Sequence, residues 1–306
     1  MSKVYEYVQE RIIRSLEESI ENGNPAPWVK PWNRKGVPKN FITKRPYRGI
    51  NLLLLESSGY YLTWKQLKKL QEKYPFLKLK NKAKSNMVVF WQFIEAKVED
   101  IDDEKSTDVK SDETASSDGY NCFKYYTVYH ESDIEGFDRL VNENDIEENI
   151  SEFIDADTLI EEYSKVVPMT IIDTNNAYYD YTNDKINIPE KKCFDNIEYF
   201  YSVAFHEMIH STGHQNRNNR PMKDHRFGSK DYSKEELVAE IGAAMLCAEF
   251  NIENPYMERT TNSYLYNWLS VIKKDIRLVT YAAQQAQKAC DYIINTTNIH
   301  SVLSPI

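Results

Sequence analysis

The chain has 306 residues, 41% of them hydrophobic and 13% aromatic, with a net charge of −9, which is ample for one large or two ordinary domains around a real core. No window approaches the ~18 consecutive apolar residues of a membrane helix, and the opening residues carry no basic head, apolar run and small-residue cleavage site, so a soluble, cytoplasmic protein is expected. Cys122, Cys193, Cys247 and Cys290 lie far apart with no CxxC pair, which argues against a disulfide framework or a thiolate zinc site and predicts reduced, buried thiols.

In chain order, Val4, Tyr5, Val8, Ile12, Ile13, Leu16 and Ile20 recur at helical spacing before the stop NGNPAP, which predicts a helix over 3–22. The next stretch is basic: from Trp28 to Lys84, fifteen Lys and Arg stand against two acids, Glu56 and Glu72, a local +13 inside a chain of net −9. Within it Trp28, Trp32, Phe41 and Tyr47 alternate with Lys30, Arg34, Lys35, Lys39, Lys44, Arg45 and Arg48. Cations along the phosphates and aromatic faces for the bases are what a single-stranded nucleic-acid surface requires. Gly and Pro interrupt the run, so it is no simple helix face. Trp32, Arg34, Lys35, Lys39, Lys44, Arg45, Tyr47 and Arg48 are therefore the candidate contacts to single-stranded DNA. The plain alternative is tryptophans in the core with a solubilising rim of lysines.

A helix from Thr63 to about Tyr74 follows, then the strand NMVVFWQFIEA and the strand FKYYTVYH, which should pair with it. Between them KVEDIDDEKSTDVKSDETASSDG has too little apolar surface to offset the entropy of ordering, and residues 98–118 are expected to form a disordered insertion. The stretch NENDIEENISEF is the better linker, which divides the chain into 1–137 and 154–306 with 138–153 between them. Beyond it come a helix (Ala156 to Tyr163), the strand PMTIID, the strand pair NAYYDYTNDKINIP and a helix from about Asn196 to Ser211 with Gly213 as its C-cap. The helix YSKEELVAEIGAAMLCAEF has Ser233 and Glu236 in a capping-box pattern, and two further helices break near Asp275. The fold class is α+β.

The helix ending at Ser211 carries FHEMIHSTGH. Residues four apart share one helix face, so His206 and His210 can present imidazoles to one ion while Glu207 reaches a water on it, the HExxH arrangement of zinc peptidases. The competing reading is a pair of hydrogen-bonded core histidines. A catalytic site needs a third protein ligand. The metzincin pattern fails because position 216 is Asn. His225, fifteen residues past His210, has a spacing resembling SprT-type proteases that act at DNA. Glu236 resembles the third ligand of gluzincins, with Glu240 on the same face accepting the other ring N–H of a ligand histidine; the bland alternative is a solvated face of Glu235, Glu236 and Glu240. The strand AYYDYTNDKINIP precedes the motif as a substrate-pairing edge strand does, making Tyr178 and Tyr179 candidate substrate contacts.

With these residues assembled, the chain resembles the ArdC-type antirestriction proteins. The matching stretches are PWN, YRGINLLLL, YYLTWKQ, MVVFW, YYTVY, AYYDYTNDKINIP, FHEMIHSTGHQNRNNR and YSKEELVAEIGAAML, with YLYNWLSVIKKD and AAQQAQKACDY similar to the family's tail. Asn218 between the two arginines and the long acidic insertion depart from the pattern. The resemblance implies a small mixed α/β N-terminal domain that binds single-stranded DNA and a zincin-like, gluzincin-type metallopeptidase domain. It further implies a cofactor of Zn2+ or another divalent metal such as Mn2+, with His206, His210 and Glu236 as ligands and Glu207 as general base. The implied role is protection of incoming conjugative or phage DNA from host restriction in a bacterial cytoplasm. Alternatives are a non-catalytic DNA-binding protein with a structural metal, or a SprT-like DNA-associated protease. The peptidase-type domain implies a protein or peptide substrate, and no membrane is implied.

Overall fold

The computed structural model describes residues 3–23, 26, 28, 37–95, 109–110, 119–140, 152–172, 176–220, 230–250, 252, 262–297 and 299. Helix α1 (Lys3–Asn22) forms where the sequence predicts it, and its stripe Val4, Val8, Ile12 and Leu16 is fully buried. What it buries that stripe against is not legible locally. Its partners are α7 (Asn262–Lys274) and α8 (Leu278–Thr297) at the other end of the chain: the Gln9 amide donates to the Ile272 carbonyl at 2.6 Å, and Lys273 pairs with Glu17 at 2.7 Å. Trp28 lies edge-on to Trp268 with ring centroids 5.0 Å apart and is buried, so it is core and offers no face to a base. One hydrophobic cluster thus runs from Val4 through Leu53, Phe205 and Leu246 to Ala286, joining both halves.

The basic half is built on a sheet in the order β1 (Lys39–Asn40), β2 (Tyr60–Thr63), β6 (Gly119–His130), β4 (Ser85–Glu95), beside a small antiparallel pair of β3 (Lys78–Leu79) and β7 (Ile134–Glu135). Strands β4 and β6 pair antiparallel over their length, from Ser85 opposite Tyr129 to Glu95 opposite Gly119, as their apolar patterns predict. The acidic stretch between them contributes β5 (Val109–Lys110), paired with β6; the rest of 98–118 lies outside the described residues, as does most of the linker. A short helix α2 (Ile50–Leu54) covers β4, and α3 (Trp64–Lys73) starts on a capping box in which Thr63 Oγ1 accepts from the Gln66 amide at 3.2 Å and Gln66 Oε1 accepts from the Thr63 amide at 2.9 Å.

The second half places α4 (Glu152–Ser164) before a three-stranded sheet in the order β8 (Met169–Ile172), β10 (Lys185–Pro189), β9 (Tyr178–Asp180). β9 is antiparallel to β10 and forms one edge. Helices α5 (Ile197–Ser211) and α6 (Lys230–Glu249) cross next to it. Two end signals read from the sequence are corrected. α6 already begins by Lys230, so Ser233 lies inside the helix and Glu236 is not a capping residue. α5 ends on Thr212 in a right-handed conformation, and Gly213 has no positive φ. Gly213 is needed for space instead: a Cβ there would lie 3.1 Å from Arg220 Nη2 and from the His210 carbonyl. Cys247 and Cys290 are buried, whereas Cys193 is exposed, against expectation.

Candidate metal centre

α5 turns His206 and His210 to one side, one helical turn apart, with their Nε2 atoms 3.0 Å from each other. α6 crosses behind them and brings in Glu236, whose Oε1 is 3.4 Å from His210 Nε2 and whose Oε2 is 3.8 Å from His206 Nε2. One donor atom from each of the three lies within 4.8 Å of the other two. Ligands about 2.1 Å from a tetrahedral ion sit roughly 3.4 Å from one another, so this donor set fits a single divalent cation. Each imidazole has a carboxylate on its other side: Glu235 Oε1 is 3.4 Å from His210 Nδ1, and Glu240 Oε1 is 3.9 Å from His206 Nδ1, the latter too long for a hydrogen bond.

Glu207 is buried and lines the same cavity of about 580 Å³, together with Ala177, Tyr178, Tyr179 and Tyr232. Tyr178 is half exposed at its mouth. The Tyr179 hydroxyl is engaged elsewhere, donating to Asp184 Oδ1 at 2.6 Å and accepting from Arg217 Nη2 at 3.0 Å. Arg217 also donates through Nη1 to Asp184 Oδ2 at 3.0 Å and through Nε to the Ser211 carbonyl at 2.7 Å, which ties the β9–β10 turn to the end of α5. Glu235, which the sequence left on a solvated face, is instead mostly covered by His210 and Arg220. No local signal singles it out, because it stands in the polar opening KDYSKEE of α6 and is covered by Arg220 and His210, which arrive from elsewhere in the chain. His225, the rival ligand, lies outside the described residues.

Burial disfavours the His210 imidazolium, but the neighbouring Glu235 and Glu236 carboxylates outweigh it and raise the pKa well above the ordinary histidine value. Burial likewise opposes ionisation of Glu236, yet the His210 hydrogen bond and charge bring it down to about 2. A cation on Nε2 must displace the His210 proton. Binding of Mn2+ near pH 7 should therefore release about one proton, and affinity should fall as pH falls, since proton and metal compete for the same lone pair. Calorimetry in buffers of differing ionisation enthalpy measures the count; release of none would contradict this electrostatic picture.

None of the described candidate DNA contacts lines this cavity. Trp32, Arg34 and Lys35 are outside the described residues. Lys44 is exposed, its Nζ 4.2 Å from the Phe41 ring centroid and 4.4 Å from that of Tyr60; Arg45 is exposed on the same turn and Lys39 is partly buried in β1. Arg48 is exposed but pairs with Asp291 on α8. Tyr47 requires correction: it is buried against Tyr61 with its hydroxyl 3.4 Å from Asn40 Nδ2, so its ring is not available for stacking.

Residues 2–129 match the model for the N-terminal domain of anti-restriction factor ArdC, and residues 155–285 match that for a zincin-like metallopeptidase. Two DNA primases TraC of Escherichia coli are 27% and 28% identical over 96% and 95% of the chain, which spans only 28% and 20% of their length. An uncharacterized protein of Sinorhizobium fredii is 26% identical over 95% of the chain and 91% of its own. The crystal structure of antirestriction ArdC protein from plasmid R388 without metal superposes with a TM-score of 0.71 at 27% identity, covering 97% of this chain and 98% of that one. Its Mn(II)-bound form gives 0.70 at 27% identity over 96% and 97%. With both halves matched in order and the whole chain superposed on one solved member, the protein belongs to the ArdC-type antirestriction family, an ArdC N-terminal domain followed by a zincin-like metallopeptidase domain.

Proposed function

We propose that this protein shields incoming DNA of a mobile element from host restriction in the bacterial cytoplasm, binding single-stranded DNA through residues 1–137 and acting as a metal-dependent peptidase through residues 154–306. The observation that carries the peptidase reading is the convergence of His206, His210 and Glu236 on one point, with Glu207 lining the same cavity. His206, His210 and Glu236 would hold Zn2+ or Mn2+. Such an ion, when bound, supplies a Lewis acid that lowers the pKa of water and polarises a carbonyl. Glu207 takes the proton from the attacking water and later returns it to the leaving amine. The outer edge of β9, which pairs with no further strand among the described residues, offers main-chain groups to an extended peptide, and Tyr178 at the cavity mouth contacts its side chains.

For the DNA, the exposed cations Lys44 and Arg45 are joined to the start of α3 through Asn40, whose amide donates to Gln66 Oε1 at 3.2 Å. There Trp64 is 46% exposed with Lys68 Nζ 4.9 Å from its ring centroid, which makes it a better stacking platform than the buried Trp28 and Tyr47. Trp64→Ala is expected to weaken binding of a short oligothymidine by ~1–3 kcal/mol, and Lys44→Glu with Arg45→Glu to weaken it further and flatten its salt dependence. Anisotropy titrations at several salt concentrations, beside metal analysis of the same preparations, test both halves at once. Wild type that retains no divalent ion after loading and gel filtration removes the peptidase reading; DNA affinity unchanged in all variants removes this placement of the DNA surface.

A further inference from the structure

Glu235 has surroundings unlike those of a helix-surface carboxylate. Its side chain is only 14% exposed, and both oxygens are occupied: Arg220 Nε donates to Oε2 at 3.0 Å and Arg220 Nη2 donates to Oε1 at 2.7 Å, while Oε1 also lies 3.4 Å from His210 Nδ1. We propose that Glu235, clamped by Arg220, is a positioning residue of the metal centre: it accepts the Nδ1 proton of His210 and so holds that imidazole with its Nε2 lone pair toward the cation. This deepens the metal reading given above and rests on it.

Three further observations support the assignment. Arg220 is itself nearly inaccessible, and its remaining donors are spent on the motif helix, Nη1 to Thr212 Oγ1 at 2.7 Å and Nη2 to the Ile209 carbonyl at 2.9 Å. The guanidinium therefore bridges the end of α5 to Glu235 on α6, so that the carboxylate is fixed relative to the histidine it serves. Its planar fork matches a carboxylate at two points, which lysine cannot do. Gly213 leaves the room this arrangement needs, since a Cβ there would stand 3.1 Å from Arg220 Nη2 and 3.4 Å from Glu235 Oε1. Finally, the counterpart predicted from sequence, Glu240, stands 3.9 Å from His206 Nδ1, farther than Glu235 from His210. Outer carboxylates of this kind fix ring orientation and raise ligand basicity, and their loss typically costs ~10–100-fold in metal affinity.

The test is competition titration of Zn2+ with a chromophoric chelator, on wild type, Glu235→Gln, Glu235→Leu, Arg220→Lys and the ligand control Glu236→Gln, with circular dichroism melting of each apo protein. Glu235→Gln is isosteric and should fold; it is expected to bind Zn2+ ~10-fold or more weakly, and Glu235→Leu ~100-fold. In the Zn2+-loaded wild type, a 15N-resolved imidazole spectrum should show His210 protonated at Nδ1 with slow solvent exchange, and that protection should vanish in Glu235→Leu. A purely structural role would lower the apo melting temperature while leaving Zn2+ affinity and the imidazole signal unchanged, and that result overturns the inference. Loss of binding in Glu236→Gln with wild-type affinity in both Glu235 variants also overturns it while leaving the metal site standing; no binding by wild type removes both.

Discussion

Glu207→Gln is expected to keep the bound Zn2+ or Mn2+ and to slow peptide hydrolysis by ~10²–10⁴-fold, the usual contribution of a positioned general base. The two effects separate because Glu207 is not among the three donors that converge, yet it lines the cavity into which they point. Glutamine fills the same volume and keeps a hydrogen-bonding carbonyl, so the buried position remains packed, but it cannot take a proton from water. His206→Ala should behave differently, losing metal and activity together. A peptide library digested by wild type and by each variant, read by mass spectrometry beside metal analysis, measures both quantities. Equal cleavage by wild type and Glu207→Gln would remove Glu207 from its role. Cleavage by neither, with metal present in both, would leave a metal-bearing DNA-binding protein.

Gly242→Val is expected to disrupt the centre from a distance. Gly242 sits where α6 crosses α5, and a Cβ there would lie 2.8 Å from both Ile209 Cδ1 and Cγ1 and 3.0 Å from Cγ2. Because the whole Ile209 side chain blocks the space, one terminal methyl cannot simply swing aside. Overpacking a close-packed core costs about 1–3 kcal/mol. The larger consequence is geometric: Ile209 stands next to His210, and Gly242 shares its helix with Glu236, so any spreading of the two helices separates the ligands. Melting should fall by several degrees, and Zn2+ affinity should drop at least ~10-fold. Ile209→Ala placed in the Gly242→Val background should restore part of both by emptying the contested volume, a coupling that a double-mutant cycle would register. Additive losses would show that crowding between these two residues is not the cause.

Local patterns in the sequence carried a good deal of this. Apolar spacing placed α1, α5 and the break between α7 and α8; β-branched and aromatic runs placed β4 and β6; Thr63 and Asn196 mark helix starts whose side chains do cap, with Asn196 Oδ1 accepting from the Tyr199 amide at 2.8 Å. Helix geometry alone sets His206 and His210 on one face, so two of the three converging donors follow from a spacing of four. Where local reading failed, a longer-range contact won. Ser233 and Glu236 have the pattern of a capping box, but the helix starts upstream of them, and Glu236 turns to the histidines instead. Trp28 and Tyr47 look like stacking residues beside their lysines, yet Trp268 from the far end of the chain and Tyr61 from the neighbouring strand β2 pack against them, and both are buried.

The sequence by itself determined the family, the α+β class and the pair of histidines, because periodicity and short motifs are local properties of a chain. Only the tertiary structure decided which carboxylates meet those histidines, since that depends on how closely α6 crosses α5, and this is set by Gly242 against Ile209 and by Arg220 bridging α5 to Glu235. It likewise decided that α1 closes the core of the opposite half and that Trp64, not Trp28, faces solvent. Burial depends on what arrives from elsewhere in the chain, and no spacing of residues along it encodes that directly.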